Sequence, residues 1–240
     1  MKVMITALHK LSRLHLIYGL AIFMFLGIII GAANWEYFDE LELAAIPNQP
    51  TAKPTGMINL IINVPERTLE IYSDAVLYKS YRIAVGKSKS PTPVGEWMVV
   101  WKDYGWGSGF GTRWIGLNVP WGIYGIHGTN NPWSIGRPSS HGCIRMRNKD
   151  VEELFEWVPI GTEVKIVGRQ VKVERKLQLK MTGADVVVVQ LKLKELGYLA
   201  SRADGIFGQA TEAAVKAYQV DNGLIVTGVV DEQVIQLLGI

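Results

Sequence analysis

The chain has 240 residues, 48% of them apolar, with a formal net charge of +3 and a single cysteine. That length suits about two ordinary domains. The basic residues are scattered and lack the dense stripe of a nucleic-acid binder, so no nucleic-acid partner is expected, and one cysteine excludes any intrachain disulfide.

The mean hydropathy of +0.15 is high for a soluble protein, and one segment explains much of it. Leu16 to Ala33 reads LIYGLAIFMFLGIIIGAA, eighteen positions without a charge. At ~1.5 Å per residue it nearly crosses a bilayer core of ~30 Å. Lys2, Lys10 and Arg13 precede it, and Glu36, Asp39, Glu40 and Glu42 follow. Positive residues favour the cytoplasmic side, so residues 1–13 are expected to form a cytoplasmic tail and residues 14–34 a single-pass transmembrane helix. The other reading is a secretory signal cut after Gly31-Ala32-Ala33, although the run is long for a signal's apolar core of ~7–15 residues. Both readings export the rest of the chain. Residues 35–56 read as a linker, acidic and aromatic at first, then NQPTAKPTG with two prolines and a glycine.

From Met57 the pattern turns to β. INLIINV (58–64), TLEIYS (68–73) and VLYKSYRIAVG (76–86) are rich in Val, Ile, Leu and Tyr, with period-two alternation at Leu69 and Ile71 and at Tyr81, Ile83 and Val85. PER (65–67) and SDA (73–75) are turns. SPTPVGEWMVVWK (90–102) enters another strand through two prolines and Gly95. Residues 97–133 hold six of the eight tryptophans among many glycines. That stretch is too irregular for simple strands. It reads either as a loop whose aromatics cover a sheet edge or as an aromatic wall or lid over a site. Asn148–Trp157 is a short amphipathic helix with Val151, Leu154 and Phe155 on one face and Asn148 or Asp150 as its cap. TEVKIV (162–167) is a closing strand. The strand spacing favours a β-sandwich or barrel over 57–168 rather than alternating β-α units.

Residues 169–182 are basic and polar and read as a connector. From 183 to 240 three short helices are expected. The first is capped by Asp185, carries Val189, Leu193 and Leu196 inward and stops at Gly197. The second lies near 209–221 with Ala214, Val215 and Tyr218 inward. The third begins near Asp231 with Val234, Leu237 and Leu238 inward. The fold class is therefore a mainly β domain (a β-sandwich) plus a small all-α three-helix C-terminal domain, behind an N-terminal transmembrane helix.

Chemistry concentrates in SSHGCIRM (139–146). A lone thiol outside the cytosol is an oxidation liability, which favours a working role for Cys143. A thiol becomes a nucleophile when a neighbour takes its proton, and histidine does this at neutral pH. His9 and His15 lie at the apolar segment, which leaves two candidate bases. His141 shares a strand face with Cys143 if the backbone is extended, whereas His127 is expected to end a strand and to approach from a neighbouring one. Gly142 permits a backbone shape in which the N–H groups of Gly142 and Cys143 point at a bound carbonyl oxygen, an oxyanion hole. Arg145 is placed to grip a substrate carboxylate. The rival is a zinc site of His127, His141 and Cys143 with an open fourth position. No Asp or Glu flanks either histidine as a general base for it, and no metal is expected.

At these residues the sequence is similar to a known family. G125-I126-H127-G128-T129 and S140-H141-G142-C143-I144-R145-M146, with Asn148 and Asp150 behind, resemble the signature of the YkuD-type L,D-transpeptidases. T92-P93-V94-G95-E96-W97 resembles the family's upstream TPxG element. L196-G197-Y198, D204-G205-I206-F207-G208, Thr211 and A214-V215-K216-A217-Y218-Q219 resemble the three-helix peptidoglycan-binding domain. The resemblance implies a catalytic domain over 57–168 and a wall-binding domain over 183–240, with peptidoglycan as the partner of both. It implies that Cys143 attacks the bond between a diamino acid and the terminal D-alanine of a tetrapeptide stem, releasing D-alanine and leaving a thioester that an amine resolves. His127 would be the base, and the Gly128 carbonyl would orient its ring. His141 would shape the site, and Ser140 and Arg145 would contact substrate. No cofactor is implied. The expected location is the cell membrane, with both domains facing the wall, or a secreted form after cleavage. The same residues would also serve an L,D-carboxypeptidase. A catalytically inactive wall-binding protein is disfavoured by the presence of Cys143, His127 and Gly142.

Overall fold

Ten strands build the β half. They are β1 (Ile58–Asn63), β2 (Thr68–Ser73), β3 (Val76–Arg82), β4 (Val85–Gly86), β5 (Gly95–Tyr104), β6 (Arg113–Leu117), β7 (Tyr124–His127), β8 (Pro138–Ser140), β9 (Ile144–Arg145) and β10 (Glu163–Val167). The structure is a computed structural model and describes residues 50–107 and 109–240. The proposed cytoplasmic tail, the transmembrane helix and most of the linker lie outside the described residues. Among the described residues no helix is long and apolar enough to cross a membrane.

Eight strands form a single sheet in the order β3-β2-β1-β10-β5-β6-β7-β9, and β4 and β8 make a small second pair. The expected sandwich of two sheets is thus one sheet folded over on itself. The ten-residue β5 serves both halves, pairing with β10 through its first residues and with β6 through its later ones, with a register shift between Val99 and Trp101. A shift of that kind bends a strand and increases its twist. Just past β3, Ala84 then bridges to Arg145 of β9, each N–H donating to the other's carbonyl at 2.8 and 2.9 Å. The two ends of the sheet therefore nearly meet. Inside the fold, Leu60, Ile62, Leu69 and Ile71 pack with Ile115, Leu117, Ile126 and Ile144. Those positions alternate along their strands because successive side chains point to opposite faces.

The strands β6 and β7 fall within the stretch whose irregularity argued against strands. Their sequences, RWIGL and YGIH, set large residues against glycine instead of apolar against polar. Gly116 pairs with Gly125 across the two strands. A Cβ on Gly116 would fall 1.9 Å from the Trp101 ring nitrogen, and one on Gly125 would fall 2.6 Å from Trp114. The glycines are the floor on which two indoles lie.

One helix, α1 (Asn148–Trp157), covers the sheet with Val151, Leu154, Phe155 and Trp157 buried. Its N-cap is Arg147 and no side chain caps it, so neither Asn148 nor Asp150 plays the expected part. Residues 50–56, the described end of the linker, are tied down. Tyr78 donates to the Ala52 carbonyl, Lys79 to that of Pro50, and Pro54 is buried.

The C-terminal helices are α2 (Ala184–Glu195), α3 (Gln209–Asp221) and α4 (Glu232–Leu238). Gly183 occupies the N-cap of α2 rather than Asp185, which pairs with Arg175. Asp231 caps α4, its side chain accepting from the Val234 N–H. Leu196 and Leu237 are exposed, not inward, at 44% and 51%. The supposed connector contributes Val173 and Leu177 to the small domain's own core.

Pro50–Ile240 clusters as one compact unit, and α2 shows why. Val186, Val187, Val188, Val189, Gln190 and Leu193 are all buried. Val186, Val188 and Val189 face the helical core, while Val187 joins the core of the sheet together with Ala203. A helix apolar on every side must be covered on every side. Glu96 of β5 clamps the junction. Its backbone N–H donates to the Ala203 carbonyl, and its carboxylate accepts from the Ala203 N–H at 2.9 Å and from Lys194 at 2.6 Å.

Candidate active site

Strand register assembles the site. Trp114 pairs with His127, and His127 pairs with Arg145. Ile115, Ile126 and Ile144, one residue away on each strand, point into the core, so Trp114, His127 and Arg145 share the outer face. Cys143 lies two residues before Arg145, returns to that same face and lies beside Gly125. Its thiol sits 3.9 Å from the Ile123 carbonyl, just ahead of β7. Cys143 immediately precedes β9, so the pairing of β9 with β7 brings its segment alongside the strand that ends in His127.

The two candidate bases separate at Gly142, whose φ of +116° suits glycine alone. A Cβ there would fall 2.7 Å from the Tyr124 ring. This bend gives the chain a different direction on each side of Gly142. His141 ends exposed, lining a cavity with Tyr124, Trp121 and residues 89–94. His127 is 1% exposed and lies on the cysteine's face. His127 is therefore buried at the end of the strand that pairs beside Cys143, and His141 is a wall residue of the cavity.

Ser140 is also buried. Its hydroxyl donates to the Cys143 carbonyl at 2.6 Å and accepts from the Gly142 N–H at 3.1 Å. One expectation changes as a result. The Gly142 amide is spent inside the turn, so of the expected oxyanion pair only the Cys143 amide stands as a donor. Ser140 holds the turn around Cys143 together.

The His127 ring is fixed on three sides. Nδ1 lies 2.6 Å from the Gly128 carbonyl oxygen, and donation there leaves Nε2 as the basic nitrogen. The Trp114 indole stacks on the ring at 5.5 Å and 17°, and Phe110 meets it edge-on at 5.0 Å. Trp106 stacks on Trp114 at 4.2 Å in turn. The glycine- and tryptophan-rich insert is therefore an aromatic housing around the base. Sequence reading offered that option without finding the ring it encloses. Burial pushes the His127 pKa down to about 4, against a smaller upward pull from the Gly128 carbonyl, with the Arg145 charge lowering it further.

Asn148, one of two candidate helix caps in the sequence and a residue standing behind the family signature, reaches the segment after His127. Its Oδ1 accepts from the Thr129 N–H at 3.1 Å. That N–H and the Gly128 carbonyl belong to one planar peptide unit. Asn148 holds one end of the plane and the His127 ring takes the other, so the carboxamide sets the angle of the base. The signal in the sequence was a polar residue opening a helix that it does not cap.

Burial raises the Cys143 thiol pKa, offset in part by a backbone hydrogen bond at Gly125 and by the Arg145 charge. Burial thus favours the neutral form of both the thiol and the imidazole. The half-buried Arg145 keeps a buried Nε with no hydrogen-bond partner among the described residues, a cation ready for an anionic group. Among the described residues no three His, Cys, Asp or Glu side chains gather to hold a metal ion, and His127, His141 and Cys143 do not converge as ligands.

The Cys143 thiol, the His127 imidazole and the Arg145 guanidinium around the β7–β9 pair are the residue types that acyl transfer through sulfur uses. Comparison with known proteins gives the family. The family model described as "L,D-transpeptidase catalytic domain" (YkuD) matches residues 59–166. The one described as "Putative peptidoglycan binding domain" matches residues 182–238. The chain is 48% identical over 107 residues to the "Putative L,D-transpeptidase YkuD" of Bacillus licheniformis, covering 45% of this chain and 64% of that protein. It is 44% identical over 108 residues to the protein of the same name in Bacillus subtilis, covering 45% and 65%. It is 35% identical over 141 residues to the "Putative L,D-transpeptidase YqjB" of Bacillus subtilis, covering 50% and 80%. The chain belongs to the L,D-transpeptidase family, with a peptidoglycan-binding domain at its C-terminal end. It spans just under two thirds of the length of the first two of these relatives.

Proposed function

We propose that this protein is an exported cysteine L,D-transpeptidase acting on the tetrapeptide stems of peptidoglycan. The observation that carries the reading is the pairing of His127 with Arg145, two residues after Cys143, with the imidazole held by the Gly128 carbonyl. Cys143 Sγ attacks the carbonyl that precedes the terminal D-alanine while His127 takes the thiol proton. The tetrahedral oxyanion is met by the Cys143 N–H. The carbon–nitrogen bond breaks, the leaving amine takes the proton from His127, and a thioester remains on Cys143. An acceptor amine then approaches, gives its proton to His127 and displaces the thiolate, which is reprotonated. Arg145 neutralises a stem carboxylate. The C-terminal domain holds the enzyme to the wall polymer, and the apolar segment 14–34 anchors it in the membrane with both domains outside.

Purified disaccharide tetrapeptide and the full chain, with products separated by chromatography and weighed, test this. Cross-linked dimers that have lost one D-alanine are expected. Tripeptide with no dimer would replace transfer by hydrolysis, and unchanged substrate would overturn both.

A further inference from the structure

The C-terminal domain does more than sit beside the catalytic sheet. Between the two lies a cavity of ≈ 390 Å³. One wall is catalytic, built from Pro91–Val94, Trp121, Tyr124 and His141, and the other belongs to α2, through Ala184, Val187 and Val188. Lys89 and Arg169 stand at it, and no Asp or Glu lines it. Apolar walls with a few convergent polar groups are the usual make-up of a ligand pocket. A cavity with two cations and a histidine, and no carboxylate to neutralise them, selects an anion.

Its position relative to the nucleophile gives it a direction. His141 is two residues from Cys143, and the Tyr124 ring packs on Gly142. The thiol lies against the carbonyl of Ile123, the neighbour of Tyr124. The cavity thus lies beside the Cys143 turn at the Tyr124 end of β7, whereas His127 stands at the opposite end of that strand. In acyl transfer, the leaving amine and the incoming amine occupy the same place, because one base serves both. That place is on the His127 side. The acyl part of the donor must then run the other way, past Tyr124 and His141.

Resting on the proposed reaction, we infer that this cavity holds the acyl donor's stem, the acidic peptide N-terminal to the attacked carbonyl, and that α2 of the wall-binding domain forms half of that subsite. Lys89 and Arg169 meet the stem's carboxylates, and Trp121 and Tyr124 carry its apolar faces. The C-terminal domain is then part of donor recognition and not only a tether. The Glu96 clamp to Lys194 and Ala203 keeps the two walls in register.

The test compares two donors on the full chain, a disaccharide tetrapeptide and a minimal Nα-acetyl-diaminoacyl-D-alanine, by the rate of D-alanine release and by intact mass. Arg169→Glu changes an exposed side chain, and Ala184→Phe fills the cavity from the helical side. The ratio of kcat/KM for the full stem over the minimal donor is expected to fall tenfold or more in both variants. An unchanged ratio in Arg169→Glu, which has no core contact to lose, overturns the inference. So does a variant that forms thioester at the wild-type rate but transfers it slowly, since that would seat the acceptor in the cavity. A wild-type protein that takes neither donor overturns the proposed reaction, and this inference with it.

Discussion

The aromatic housing of His127 makes a quantitative prediction about pH. Burial moves its pKa from 6.5 to about 4, a difference of 2.5 that corresponds to ~3.4 kcal/mol at ~1.36 kcal/mol per pKa unit. The ring is 1% exposed, so screening by water discounts little of this. Two consequences follow, with the same sign. The base stays neutral from neutral pH down to about 4, so the acid limb of Cys143 acylation should lie near 4 and not near 6.5. Between pH 6.5 and about 4 the unfolded chain binds a proton that the folded chain refuses, so stability is full above 6.5 and falls as pH drops through that window, by about 3 kcal/mol. Phe110→Ala removes the edge-on ring from the loop ahead of β6 and admits water to the imidazole. The acid limb should then rise by about one unit, and the acid loss of stability should shrink by ~1.4 kcal/mol. The assay is the rate of acylation by a soluble tetrapeptide from pH 3.5 to 8, followed by quenched intact mass, with urea unfolding over the same range. A wild-type limb at 6 to 7 that Phe110→Ala leaves in place would show that burial does not set the basicity of this histidine.

Asn148→Ala frees the Gly128–Thr129 peptide and leaves the Thr129 N–H without its acceptor. We expect a loss of about 1–3 kcal/mol in stability and about a tenfold lower kcat at near-constant KM, with Asn148→Asp restoring part of the rate; a kcat equal to wild type would remove Asn148 from the positioning of the base. Gly142→Ala places a methyl against Tyr124 at a positive φ and should cost about 1–3 kcal/mol in backbone strain alone, read as a lower melting temperature, and a wild-type value would contradict the packing at this turn. Deleting 182–240 uncovers Trp97, which is fully buried, and Trp121, which packs against Gly205. At about 2 kcal/mol for each uncovered large apolar side chain, about 4 kcal/mol for the two, the melting temperature of the remainder should fall by roughly 10 °C or more and turnover of soluble tetrapeptide should drop. Undiminished turnover and stability would make the domain a tether only.

The sequence announced the strands that alternate apolar with polar residues, and β2 runs over the same residues as the expected 68–73. It hid β6, and showed of β7 only its end at His127, because their outer positions are glycine and aromatic, a periodicity of size rather than polarity. Likewise Val186–Val189 show no single apolar face, since the helix has two cores to fill and not one. The chemistry of the site was legible as residue types around Cys143, but the choice between His127 and His141 needed the β7–β9 register and the bend at Gly142. The Gly142 amide, expected to face a bound oxygen, has a partner of its own that the sequence does not show. Which way an amide points depends on its partner, and here the Ser140 hydroxyl claims the N–H of Gly142.

The most direct measurement is intact mass of the full chain after brief exposure to tetrapeptide stem, beside Cys143→Ala and His127→Ala. A covalent adduct of the stem less D-alanine on Cys143 is expected in the wild type, slowed by orders of magnitude in His127→Ala and absent in Cys143→Ala, while all three still sediment with purified peptidoglycan. An adduct that persists in Cys143→Ala, or that forms equally fast without His127, would contradict the account of this thiol and its base.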